Sequence, residues 1–486
     1  MDDEATFRRE LAVLVRRLLE ESHHESNAIG VPIREHLGPS DEDLTVHAEE
    51  LSDFELPNLQ LALDAALARP GWEGRVIGLA GQGRHFSGVG LGDLMAHEHL
   101  SVGPPEYVNA SIGPGRTLPC LVWAVLLVTA PEGRLAVFVH RGEAHGPMHG
   151  TLTVEAAAPD PALATGFLAD LRLLMEEHDV FRGQLLTVEV DRSGSRQVVF
   201  LERPEMDASE LVLPEGLLER TVRHVVGPSR NREALLASGR HLARGLLLWG
   251  PPGTGKTHTV RYLTGLLRDE TVIVLSGASL GLIGAFAALA RRLAPAVVVL
   301  EDVDLVAHER WAGRFGSPLL FELMNEMSGL APDADVAFVL TTNRPDALEP
   351  ALAARPGRVD LALEIPLPAA GERRRLLELY GRGLDLPPEV LDEAVERTEG
   401  ATASFFRELL RKAALTAAED GRTGASADDV RAALDELLHE TAKMTRVLLG
   451  SEAPGEEPAP GPHDWMQGIA SGGWTGTTAR MFRTSR

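Results

Sequence analysis

The octapeptide Gly250-Pro251-Pro252-Gly253-Thr254-Gly255-Lys256-Thr257 follows the apolar run GLLLW and leads into a stretch with helical spacing that begins at His258. Each residue type has a use if this loop wraps a row of phosphates. Gly253 and Gly255 free backbone N–H groups to face phosphate oxygens, and the N-terminus of the following helix adds partial positive charge. Lys256 places a point charge on the β and γ phosphates, and Thr257 offers its hydroxyl to Mg2+. A strand, a glycine loop and a helix in that order form the strongest chemical signal in the chain. It points to a nucleoside triphosphate with Mg2+, held by residues 250–258.

Some forty residues on, an apolar strand pattern, VVVLEDVDLV, ends in Glu301, Asp302 and Asp304. Further still lies FVLTTNRPDALEPALAARPGRVD, carrying Asn343, Arg355 and Arg358. Together with LVLPEGLLERTVRHVVGPSRNREALLASGRHLARGLLLWGPPGTGKT upstream, these stretches resemble the AAA family of ATPases over roughly 205–440. The resemblance implies ATP as the nucleotide. Asn343 then positions the attacking water, and Arg355 and Arg358 reach into the site of a neighbouring subunit, where an arginine on the transferring phosphoryl group is worth about 10³-fold or more. Taken singly, Asn343 reads better as a helix cap and the arginines as partners of surface acids. Their order and spacing favour the functional roles.

By the same resemblance Glu301 holds Mg2+, usually through water, and Asp302 polarises the attacking water. The family commonly has Asp first and Glu second, so here one carboxylate is a methylene longer and the other a methylene shorter. A misplacement of about 1 Å can cost on the order of 10²-fold in rate. Bcs1-type chaperones of the family carry the same Glu-Asp order, so hydrolysis is the expectation. In a rival register Asp302 serves Mg2+ and Asp304 is the base. Those two residues point the same way along an extended strand, which disfavours it.

Three departures from the family stand out. No membrane-spanning segment of the Bcs1 type is present in the sequence. The helix TEGATASFFRELLRKAAL has Ala403-Ser404 where a Gly-Ala pair is common, which weakens the case for nucleotide contact there. The pore-loop region SGASLGLIGAFAAL has Leu282 where an aromatic is usual. Leu282 and Ile283 can pack into the core as the first turn of the following helix, but Gly281 and Gly284 disfavour helix by about 1 kcal/mol each and tip the expectation to a mobile loop that grips a client.

The elements required to position these residues give an α/β fold: a P-loop AAA+ ATPase with a parallel sheet core and a helical lid, preceded by other domains. Residues 1–110 read as mostly helical, including an amphipathic helix in LPNLQLALDAALARPG. A small α+β domain is expected at 111–204, with strands in LPCLVWAVLLVTA, GRLAVFVHRGEA, GTLTVEAAA, GQLLTVEVD and QVVFLERP and a helix near 162–179. The large nucleotide-binding part follows at 205–366 and the helical lid at 367–442. The Pro/Gly-rich tail 443–486 is expected to be disordered, though Trp465, Trp474 and Phe482 near its basic end also suit a docking segment. The glycine pattern GLAGQGRHFSGVGLG lacks a following Lys-Ser/Thr and reads as a loop. His140, His145 and His149 lack carboxylate or thiol companions at ligand spacing and read as loop residues.

Composition bounds the function. With 486 residues, 44% of them apolar, the chain can build two or three cores. A formal charge of −24 argues against a nucleic-acid partner. The apolar run at 118–130 is shorter than the roughly 18 residues that a membrane helix needs. The single cysteine, Cys120, cannot form an internal disulfide and suits a reducing cytoplasm. The start MDDEATFRRELAVLVRRLLEESHHE is amphipathic, unlike a signal peptide. Lys occurs only at 256, 412 and 443, a bias toward Arg that fits a GC-rich bacterial genome. The leading expectation is therefore a cytoplasmic ATPase ring, a hexamer, that unfolds or remodels a protein client. A nucleotide-gated scaffold with slow turnover and a nucleic-acid motor are the alternatives.

Overall fold

The computed structural model describes residues 29–39, 44–80, 89–96, 100–141, 151–190, 196–304, 322, 325–327, 334–346, 359–384 and 386–439. The amphipathic start, most of the first glycine-rich stretch, His145, His149, Arg355, Arg358 and the tail lie outside them. The chain forms two compact units: residues 1–211, 216–249 and 256–364 make the first, and residues 212–215, 250–255 and 365–486 the second.

The first unit holds two seven-stranded sheets. One is antiparallel and is built from β1 (Val46–Ser52), β2 (Glu73–Ala80), β3 (Ser101–Gly103), β4 (Glu106–Gly113), β5 (Arg116–Ala130), β6 (Gly133–Arg141) and β7 (Thr151–Ala157). The long strand β5 pairs with β6 along one edge and shares its other edge between β4 and β2. Period-two alternation explains its unbroken apolar run, because both faces are covered. Ala124, Leu126 and Val128 pack under α2 (Leu56–Leu67) and α3 (Pro161–Glu177), while Val125 and Leu127 pack with Ile33 and Leu37 of α1 (Gly30–Leu37). The mostly helical reading of residues 1–110 is thus corrected: three of this sheet's strands lie there and a fourth, β4, begins there. The strands β1 and β2 escaped notice because half or more of their residues are polar or glycine, as in VHAEELS and EGRVIGLA.

The second sheet has the order β14-β10-β13-β12-β11-β8-β9. Its members are β8 (Leu185–Val190), β9 (Arg196–Leu201), β10 (Arg244–Trp249), β11 (Thr271–Ser276), β12 (Ala296–Glu301), β13 (Val336–Thr342) and β14 (Leu361–Glu364). All pairings are parallel except that of the hairpin β8–β9, which joins through β8 parallel to β11. The boundary expected at 204 is therefore moved. Alternation marked β8 and β9 as strands but carries no information about which sheet receives them. At the start of β10, the buried Arg244 donates to Val225 O, Leu242 O and Asp335 Oδ1, the last at 2.7 Å. The strand that feeds the phosphate loop is thereby fixed at its far end.

A helical turn at Gly277–Leu282 runs into α5 (Ile283–Arg292), which packs on this sheet. Leu282 and Ile283 are 7% and 1% exposed and belong to the large apolar core, together with Phe286, Phe181 and Phe200. The mobile-loop expectation for these two residues is overturned. The apolar area gained by burying them outweighs the modest helix cost of Gly281 and Gly284. The antiparallel domain meets this sheet at Phe54, which stacks on Phe286 at 5.2 Å, and at Arg292, which bonds Glu55 and Asp179 at 2.7 and 2.8 Å.

The second unit contains the loop residues 250–255 and a helical bundle: α6 (Ala370–Tyr380), α7 (Pro388–Arg397), α8 (Ala403–Glu419) and α9 (Ala427–Leu438). Its core is formed by Leu376, Leu377, Phe405, Phe406, Leu409 and Leu434 among others. Ser426 caps α9 by a reciprocal bond pair with Asp429.

Candidate nucleotide site

In the second unit, glycine is required at two loop positions. Gly250 lies so close to Ile365 that a side chain there would meet its carbonyl oxygen at 2.2 Å. Gly253 has φ +77 and would meet Ser404 Oγ at 2.2 Å. Ser404 donates its backbone N–H to Gly253 O at 3.2 Å, and its hydroxyl shares a 2.9 Å bond with Thr402 Oγ1. The Ala403-Ser404 departure thus leaves α8 seated on the loop by its first turn. Thr254 is 4% exposed and closes the loop on itself by donating to Pro251 O. Pro252 is exposed and Gly255 half-buried.

In the first unit, Lys256 opens α4 (Lys256–Leu266) and is 6% exposed. Burial lowers its pKa, while the charges of Asp302 and Asp304 raise it. Thr257 is exposed and His258 half-buried on the first turn. Glu301 ends β12 and accepts a hydrogen bond from the Thr257 side chain. Burial pushes the Glu301 carboxyl above its usual range, offset by the Thr257 bond and reinforced by the charge of Asp302. Its Oε1 is buried without a hydrogen-bond partner. A hydroxyl beside a carboxylate that keeps a buried, unused acceptor oxygen is a donor set that fits Mg2+, a hard cation that takes oxygen ligands.

Asp302 follows at φ 52, in the left-handed region, and its Oδ1 lies 3.4 Å from Asn343 Nδ2. Lys256, Thr257, Glu301, Asp302 and Asn343 are therefore brought together at the carboxyl ends of β10, β12 and β13, where open parallel sheets bind ligands. Asp304 is 6% exposed and committed elsewhere: its Oδ1 accepts from Thr342 Oγ1 at 2.9 Å and from the Asn343 backbone N–H at 3.1 Å. That commitment favours the register in which Asp302, rather than Asp304, faces the chemistry. Sequence reasoning missed Thr341, whose hydroxyl accepts the Asp302 N–H at 3.0 Å. The available signal was a hydroxyl pair, Thr341-Thr342, directly before Asn343.

Residues 246–367 match the family described as "ATPase family associated with various cellular activities (AAA)". Over 271 residues the chain is 32% identical to the ATP-dependent zinc metalloprotease FtsH of Thermus thermophilus, covering 52% of this chain and 43% of that protein. Identity to the FtsH of Acidothermus cellulolyticus is also 32%, over 52% of this chain and 40% of the relative. The Proteasome-activating nucleotidase of Thermococcus kodakarensis is 28% identical, over 57% of this chain and 72% of the relative. The chain spans less than half the length of these two metalloproteases. With a parallel sheet, a glycine loop after β10, a carboxylate pair at the end of β12 and an asparagine after β13, residues 246–367 form a domain of the AAA family of ATPases.

Proposed function

We propose that the chain hydrolyses ATP with Mg2+ and, as a closed ring of six subunits, unfolds or remodels a protein client. The observation that carries this reading is the convergence of Lys256, Glu301, Asp302 and Asn343, with the Thr257 hydroxyl on Glu301. Lys256 would hold the β and γ phosphates, and residues 250–255 with His258 would line the nucleotide. Thr257 and Glu301 would hold Mg2+, which when bound neutralises phosphate charge. Asp302, oriented by Asn343, would accept the proton of the attacking water. The ring follows from the roles proposed for Arg355 and Arg358: a site completed by a neighbour's arginine requires head-to-tail contacts that close.

The relatives' names, an ATP-dependent zinc metalloprotease and a proteasome-activating nucleotidase, support a client that is a protein. The charge of −24 disfavours nucleic acid. Among the described residues no helix is long and apolar enough to cross a membrane, and Cys120 is a buried free thiol. The free thiol fits the proposed cytoplasmic setting, and the bias toward Arg over Lys fits the proposed bacterial one. One observation favours a second reading, a nucleotide-gated scaffold with slow turnover: the burial of Leu282 and Ile283 removes the aliphatic grip that threading was expected to use.

Steady-state ATP hydrolysis by the full chain distinguishes the two. Turnover that requires Mg2+ and disappears in Lys256→Ala, together with a loss of nucleotide affinity on the order of 10²-fold, is the expected result. Undiminished ATP affinity in Lys256→Ala would remove the site assignment, and binding without measurable turnover in the wild type would leave the scaffold.

A further inference from the structure

We infer that Thr341 is a positioning residue for hydrolysis, holding Asp302 in the left-handed turn that sets its shorter carboxylate against Asn343. The inference rests on the reading of Asp302 as the residue that polarises water. Asp302 is the one non-glycine residue with positive φ among the described residues. Such a conformation persists only where its surroundings over-determine it.

Here the surroundings are the last three residues of the neighbouring segment. Thr341 is 1% exposed, and its Oγ1 accepts the backbone N–H of Asp302 at 3.0 Å. Its carbonyl oxygen accepts the next N–H, that of Val303, also at 3.0 Å. Thr342 and the Asn343 N–H then grip Asp304 Oδ1 at 2.9 and 3.1 Å. Four bonds thus tie the turn 302–304 to 341–343, residue against residue. They bring Asp302 Oδ1 to 3.4 Å from Asn343 Nδ2.

An extended strand would send Glu301 and Asp302 to opposite faces. The turn lets both carboxylates act at one place, since Glu301 feels the charge of Asp302 and so does Lys256. Only one of the four bonds to the turn is removable at a side chain without touching a residue proposed for catalysis or the Asp304 grip, and it is the Thr341 hydroxyl. A valine there keeps the branched shape and leaves the Asp302 N–H without its acceptor. A serine keeps the acceptor.

The test compares Thr341→Val and Thr341→Ser in the full chain, measuring kcat and KM for ATP, binding of a non-hydrolysable ATP analogue and thermal midpoint. Thr341→Val is expected to lower kcat by about 10- to 100-fold with KM and analogue affinity within about threefold of wild type, because misplacing a reacting group by a fraction of an ångström acts on the chemical step. Thr341→Ser is expected to stay within about fivefold of the wild-type kcat, since it restores the acceptor. A wild-type kcat in Thr341→Val overturns the inference. So does a Thr341→Ser as slow as Thr341→Val, which would mean that packing of the methyl group, not the hydroxyl, sets the rate. A wild-type chain with no measurable turnover overturns the hydrolase reading itself, and this inference with it.

Discussion

Glu55 is a buried carboxylate whose pKa is raised by desolvation, with the Arg292 charge and an Asn58 hydrogen bond acting in the opposite direction. A raised folded-state pKa means that the folded chain holds this proton more tightly than the unfolded chain. The associated stability is fully present below the unfolded value of 4.5 and is lost as pH rises through the raised folded value. Glu55→Gln removes that proton linkage, so the thermal midpoint of the wild type should fall relative to the variant as pH is raised from 4.5 toward neutrality. Parallel midpoints across that range, or a gap that closes with rising pH, would contradict the assignment. At this scale the sequence was legible where a role is local. The phosphate loop states its own chemistry in eight consecutive residues, each interpretable from its type. Glu55, Arg292 and Asp179 were invisible because they meet across 237 and 113 positions. Thr341 was missed for the same reason, its partner lying 39 positions away.

The helix α5 shows what periodicity reveals and what it leaves open. A strand, a glycine-flanked pair and a helix were readable in TVIVLSGASLGLIGAFAALARRL, yet whether Leu282 and Ile283 face a channel or a core depends on what covers them. The cover is supplied by Phe181 and the hairpin β8–β9, whose residues Leu186, Val188, Val198 and Phe200 share their cluster. Position along the chain, not alternation, placed the hairpin with the antiparallel domain, since a strand with two usable edges does not encode its neighbour. The four strands from β10 to β13 were recoverable because a parallel sheet covered on both faces writes continuous apolar runs, whereas the edge strand β14, LALE, writes none. Leu282→Ala should therefore act as a core truncation, costing about 2–5 kcal/mol in denaturant unfolding. Unchanged stability, with client remodelling lost instead, would return Leu282 to the channel.

At the scale of the whole molecule, the chain joins a domain that the family description covers, residues 246–367, to an antiparallel α+β domain outside that match. The sheet of this second domain is ordinary physics, two covered faces and a long central strand, and among the described residues none declares a ligand. Client choice was for that reason not legible, whereas the phosphate loop and the strands that end at Glu301 and before Asn343 were. The claim on which the account turns is that the swapped pair, Glu301 before Asp302, still hydrolyses ATP with Asp302 facing the water. Phosphate release by the full chain, compared with Asp302→Asn and Asp304→Asn at saturating ATP and Mg2+, tests it most directly. Asp302→Asn is expected to bind ATP like the wild type and to lose turnover by about 10²- to 10⁴-fold, the usual worth of a general base. Wild-type turnover in Asp302→Asn, with turnover abolished in Asp304→Asn, would contradict it and assign the chemistry to Asp304.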